Sequence, residues 1–252
     1  MSHPRYTALA QTLPASVPFV GPEAQERARG AVFDARLGAN ENGFGPAASV
    51  LEAIKTNADQ AWMYGEPESH DLRSAIAAHH GIALSNIVVG EGIDGLLSYL
   101  VRLLVTQGDH VVTSDGAYPT FNYHVAGFGG TLHKVPYNAD HEDPEALLAK
   151  AREVGAKLIY LANPDNPMGT WHKGTTFEEM AAKLPDGCLL LLDEAYIDLA
   201  PAEAIPDLAI EHPGVIRMRT FSKGYGLAGM RVGYALGAPE LITAFEKIRN
   251  HF

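Results

Sequence analysis

Short apolar runs recur along the chain, each followed by a polar or glycine-rich stretch and then by a segment of helical period. Seven runs read as strands: 86–89, 110–114, 131–135, 157–161, 188–192, 215–220 and 232–236. Between them, residues 48–58, 71–80 and 96–105 space their apolar positions as helices do, the second ended by Gly81. Asp143, Pro144 and Gly155 bracket another helix as N-cap, first-turn proline and C-terminal stop. Thr175 and Glu178 are spaced as a capping box for a helix that stops near Pro185. Residues 1–35 differ: prolines at 4, 14, 18 and 22 interrupt any period, which predicts an arm rather than a packed element, of the kind that often lies across a partner subunit.

Strands alternating with helices predict an α/β fold, a three-layer α/β/α arrangement on a mainly parallel seven-stranded sheet. Run 188–192 is apolar throughout, as in a strand covered on both faces. The link between 215–220 and 232–236 is too short for a right-handed crossover, so the last strand is expected to run antiparallel, at or near an edge.

Composition narrows the ligand class. A net charge of -11 opposes non-specific binding to nucleic acid or anionic membrane, which leaves small molecules. Cys188 is the one cysteine, so no intrachain disulfide forms. The N-terminal stretch lacks a signal-peptide pattern, and no run is long enough to span a bilayer, which predicts a cytoplasmic protein. His79 and His80 are adjacent and so face different ways, a poor pair for a metal, and none is expected.

Ligands of such sheets bind at the carboxyl ends of the strands. The unusual polar clusters fall there: 90–94, 118–123, 163–169, 193–196 and 222–223. In RTFSKGYGLAGMRVGY (219–234), Lys223 lies in a glycine-loosened loop with Thr220, Ser222 and Arg231 close by. Hydroxyls and a cation suit a phosphate, and the neighbouring charge favours a free amine, although a solvated loop fits the same residues. GEGIDG (90–95) matches the GxGxxG of dinucleotide enzymes, and Asp115 lies where a ribose-binding acid would, so an NAD(P)-binding oxidoreductase is a rival. LLLLDE (189–194) is like the magnesium strand of a P-loop enzyme, but no GxxxxGK[ST] accompanies it.

Taken together and in order, ANENGFGP (39–46), IVVGEGIDG (87–95), NPDNPMG (163–169), LLLLDEAY (189–196) and RTFSKGYGLAGMRVGY resemble the large domain of fold-type I pyridoxal-phosphate aminotransferases of class I/II. Within them the chain is most similar to the histidinol-phosphate aminotransferase group. The resemblance implies pyridoxal 5'-phosphate as cofactor, with Lys223 bonded to its aldehyde and Asp193 paired to its ring nitrogen. It implies Asn166 and Tyr196 at the ring's phenolic oxygen, Phe121 stacked on the ring, and Asn40 near the substrate. The phosphate would lie against the Ile93 and Asp94 N–H groups, Thr220, Ser222 and Arg231, with Tyr64 reaching in across a homodimer interface.

The implied reaction moves an amino group between an amino acid or amino-alcohol phosphate and a 2-oxo acid. A decarboxylase of threonine-phosphate type shares these motifs and is the alternative within the cofactor class. The implied domains are an arm (1–35), a cofactor-binding large domain (36–238) and the start of a linker helix (239–252) to a C-terminal domain that this sequence lacks. Departures from the family pattern are Gly43 for proline, Met168 for threonine, Gly95 for an acid and Phe121 for tyrosine.

Overall fold

The structure, a computed structural model, describes residues 4–15 and 19–250. Parts of the expected arm (1–3 and 16–18, with Pro18) and the end of the expected linker helix (251–252) lie outside the described residues. The seven strands are β1 (Ile87–Gly90), β2 (His110–Ser114), β3 (Thr131–Val135), β4 (Leu158–Ala162), β5 (Leu189–Asp193), β6 (Val215–Thr220) and β7 (Gly233–Gly237). They form one sheet in the order β1-β7-β6-β5-β4-β2-β3. Pairing is parallel from β6 through β3, while β7 runs antiparallel to both β6 and β1. The last strand is thus antiparallel and next to the edge, as its short link requires.

The same topology removes the dinucleotide reading of GEGIDG. The strand before that loop is an edge strand paired only to antiparallel β7, whereas a Rossmann fingerprint follows a central strand of a parallel βαβ unit.

Nine α-helices accompany the sheet among the described residues: α1 (Ala8–Thr12), α2 (Pro22–Arg29), α3 (Ala48–Thr56), α4 (His70–His80), α5 (Gly92–Leu104), α6 (Pro119–Gly127), α7 (Pro144–Val154), α8 (Gly174–Ala182) and α9 (Pro239–Phe245). The arm contains two helices, α1 with Thr7 as N-cap and α2 with Pro22 in its first turn. Neither helix buries a residue, so the arm does not join the core. Asp143 caps α7 through the Ala146 N–H and Gly155 ends it in the left-handed region, as read from sequence. The Thr175/Glu178 box does not form. Helix α8 starts two residues earlier than a box at Thr175 requires, at Gly174 with Lys173 as N-cap, where an added Cβ on Gly174 would strike the Ile205 carbonyl, and Glu178 accepts instead from the Asp207 N–H at 2.9 Å.

Strand alternation sorts the side chains between two cores. Leu158, Tyr160 and Ala162 of β4 face α5, α6 and α9, and Ile159 and Leu161 face α7 and α8. On β5, Leu191 joins the first core and Leu190 and Leu192 the second. Asp193 continues the first set and Glu194 the second. Consecutive acids at one strand end thereby acquire different surroundings. Glu194, fully buried, takes Arg217 at 2.8 Å and Arg219 at 2.6 Å, tying the ends of β5 and β6 behind the sheet. Asp193 is left to the opposite face.

Candidate active site

At the carboxyl ends of β4, β5 and β6, against the first turn of α5, lies a cavity of about 480 Å³. That volume suits a small ligand. Each strand tip contributes: Ala162, Pro164 and Asn166 at and after the end of β4, Asp193, Ala195 and Tyr196 at and after β5, and Thr220, Ser222 and Lys223 at and after β6. Both Asn163–Pro164 and Asn166–Pro167 are cis. The turn they form is braced by Asn163, whose amide donates to the His172 and Ala204 carbonyls and accepts from the His172 N–H.

Asp193 and Lys223 face the same cavity. The Asp193 carboxylate is buried and takes hydrogen bonds from the Tyr160 hydroxyl at 2.8 Å and the Ala195 N–H at 3.0 Å. Burial pushes its pKa up to about 6, against the pull of those two donors and of the Lys223 charge. The Lys223 ammonium is half-buried, which lowers its pKa, and the Arg231 charge pulls the same way against Glu41 and Asp193. Burial, more than the neighbouring cation singled out from sequence, favours the free amine. Lys223 Nζ donates to the Ala39 carbonyl at 2.8 Å. Beside it Asn40, in the left-handed region at φ 51°, donates to the Tyr196 hydroxyl at 3.0 Å.

The same cavity is lined by a second set of groups whose chemistry suits an anion. Ile93 and Asp94 occupy the first turn of α5, where backbone N–H groups lack helical partners and the helix dipole favours negative charge. Ser222 donates its N–H to Thr220 Oγ1 at 3.1 Å, and Arg231 Nη1 reaches Ser222 Oγ at 3.3 Å. Arg231 is itself in the left-handed region at φ 53°, a strained conformation for a side-chain-bearing residue. Among the described residues it makes no ion pair with a carboxylate. Gly92 suits this turn, with its φ at 71° and the Arg231 guanidinium lying where a Cβ would be.

The structure corrects Phe121. Its ring does not line the cavity. On α6, Phe121 and Val125 are one turn apart on the stripe that faces the sheet, so the ring is driven into the core and stacks on Tyr160, 4.5 Å between centroids and 17° between planes. Tyr118, at the N-cap of α6, is the α6 aromatic that lines the cavity. Tyr64 is 83% exposed and stands outside its own chain's cavity. Met168 is exposed and does not line the cavity either.

Sequence reasoning also missed Tyr160, Ala195 and Phe19 as lining residues. Tyr160 sits within an apolar run, and only the alternation along β4, counted against Asp193 on β5, would have placed it on the site's face.

Residues 35–252 match the family described as Aminotransferase class I and II. A histidinol-phosphate aminotransferase of Sinorhizobium meliloti, solved in complex with pyridoxal-5'-phosphate, is 56% identical with a TM-score of 0.94, covering 99% of this chain and 67% of that one. Histidinol-phosphate aminotransferases of Anaeromyxobacter sp. and Staphylococcus aureus are 36% and 33% identical, over 91% and 95% of this chain. The chain spans about two thirds of the length of these curated relatives, 64% and 69%. With strand order, site geometry and relatives in agreement, the chain belongs to the class I and II aminotransferase family.

Proposed function

We propose that this chain binds pyridoxal 5'-phosphate in the cavity and serves amino-group transfer between an amino acid or amino-alcohol phosphate, of histidinol-phosphate type, and a 2-oxo acid. The single observation that carries the reading is that one cavity presents a buried carboxylate, a lysine amine and an arginine with no acidic partner among the described residues. The residues fit the cofactor. The Ile93 and Asp94 N–H groups, Thr220, Ser222 and Arg231 would hold its phosphate, and Asp193 its ring nitrogen. Asn166 and Tyr196 would hold its phenolic oxygen, with Tyr118 as the aromatic wall available to the ring. When bound, the cofactor supplies an aldehyde that condenses with amines and a protonated ring that draws electrons from the substrate.

The chain's own residues divide the remaining work. Lys223 would tether the aldehyde and, once displaced by the incoming amine, take the proton from the donor's Cα as general base. Burial lowers its pKa, which favours the unprotonated amine. Ionised Asp193 would keep a proton on the ring nitrogen, and Asn40 would contact substrate. Removing the cation of the cradle, Arg231→Ala, is expected to raise the dissociation constant for pyridoxal phosphate about ten- to hundredfold, the loss typical of a charge-assisted hydrogen bond. A fluorescence titration with the cofactor measures it.

Helix α3 supports a homodimer. It buries no residue within its own chain, and it lies between Phe44, 100% exposed, and Trp62, 81% exposed. In such a homodimer Tyr64 would be the residue offered to the partner's cavity, as the resemblance implies. We further read residues 36–238 as the cofactor-binding large domain, 1–35 as its arm and 239–252 as the start of a linker helix, in a cytoplasmic enzyme. None of the helices among the described residues is long and apolar enough to cross a membrane.

Incubating the cofactor-loaded chain with L-histidinol phosphate tests the reaction. The expected product is pyridoxamine phosphate, one per bound cofactor. Release of carbon dioxide from an amino acid with the cofactor unchanged would contradict the transfer reading.

A further inference from the structure

Period-two alternation places Tyr160 of β4 and Asp193 of β5 on the same face of neighbouring strands, and the two side chains meet. The Tyr160 hydroxyl donates to Asp193 Oδ2 at 2.8 Å, and the Ala195 N–H occupies Oδ1. Among the described residues, no other side chain hydrogen-bonds this carboxylate. Tyr160 is fully buried and its ring is clamped by the stack on Phe121, so the hydroxyl has little freedom to turn away.

We propose that Tyr160 is a positioning residue for Asp193: its hydroxyl holds the carboxylate ionised and in one orientation, so that Asp193 can keep a proton on the ring nitrogen of the bound cofactor. The inference rests on the cofactor reading above.

The physical basis is a competition at one buried acid. Burial opposes ionisation of Asp193, and the Tyr160 hydrogen bond is the largest influence favouring it. Other groups also bear on it: Lys223 favours the charge, Glu194 opposes it, and Glu142, Tyr118 and Tyr196 lie within electrostatic range. Burial keeps Tyr160 protonated well beyond the ordinary tyrosine range, so it remains a donor at any working pH. Losing the donor raises the acid's own affinity for a proton. In the loaded site that proton would come from the ring nitrogen.

Tyr160→Phe keeps the ring, its volume and the stack, and removes only the hydroxyl. With ¹⁵N-labelled pyridoxal phosphate bound, the ring-nitrogen shift is followed against pH, and cofactor affinity is read by fluorescence. The variant is expected to lose the ring proton at a pH lower by about one unit or more, with a dissociation constant about tenfold higher. A titration coinciding with wild type would overturn the proposal. Phe121→Leu loosens the packing but keeps the hydroxyl, and is expected to shift the titration by far less than Tyr160→Phe does. If Phe121→Leu reproduces the shift, packing rather than the hydrogen bond is responsible and the proposal falls. A wild-type chain that takes up no pyridoxal phosphate would overturn the cofactor reading first and this inference with it.

Discussion

A Lys223→Ala chain is expected to lose donor-dependent formation of pyridoxamine phosphate by about 10⁴-fold or more, while still capturing pyridoxal phosphate without a covalent bond. The two halves of that result come from different residues. Covalent tethering and removal of the donor's Cα proton both need a basic nitrogen in the cavity, and a positioned general base alone contributes about 10²- to 10⁴-fold. The groups proposed to hold the phosphate are others, the first turn of α5, Ser222 and Arg231, and the substitution leaves them in place. Single-turnover absorbance with excess donor measures the rate, and equilibrium dialysis the retained cofactor. Added small amines should restore part of the rate, since they supply the missing base in the vacated volume. Loss of the cofactor together with the rate would mean that the cradle does not act as described.

Asp193→Asn carries the second large effect, and it separates function from stability. An amide at the ring nitrogen cannot hold a proton there, and a fall in the donor reaction of about 10³-fold is expected, the scale of losing one preorganised electrostatic partner. In the cofactor-free chain the same change should stabilise the fold. The Asp193 pKa, about 6, lies above the ordinary carboxylate value, so between the two the folded chain binds more protons than the unfolded one. Stability from this group is therefore lost as pH rises through that window, and at neutral pH the ionised acid costs up to about 3 kcal/mol. The asparagine removes that cost. Urea unfolding of both chains should show the variant more stable at pH 7 and the difference vanishing below about pH 4. A variant less stable than wild type at neutral pH would contradict the burial argument. Glu142 is also pushed up, to about 8, and adds a pH dependence of the same sign in both chains, so the difference between wild type and variant, rather than either profile alone, reports residue 193.

Much of this site was legible in the sequence because its parts sit at strand tips, where apolar runs break off. Asp193 and Glu194 end one run, Asn163 to Gly169 follow another, and Thr220 to Lys223 a third. Strand alternation, which would have shown that Asp193 faces the cavity and Glu194 the arginines behind the sheet, needs the sheet's neighbours before it means anything. Phe121 was misplaced because a motif position says which residue follows the strand, not which face of the next helix packs down. Its place on the core-facing stripe of α6 decides that. Tyr160 escaped notice for the complementary reason: within an apolar strand a tyrosine reads as core, and its hydroxyl acquires a partner only when β5 lies beside it. The capping box at α8 failed because Gly174 starts the helix against the Ile205 carbonyl, a tertiary contact invisible to local spacing.

The central claim is that one amine in this chain is the covalent seat of the cofactor. Borohydride reduction of the chain after incubation with pyridoxal phosphate, followed by peptide mass mapping, tests it most directly. The expected result is a single phosphopyridoxyl group on Lys223. An adduct on any other lysine, or a chain that stays unlabelled and colourless, would contradict the account.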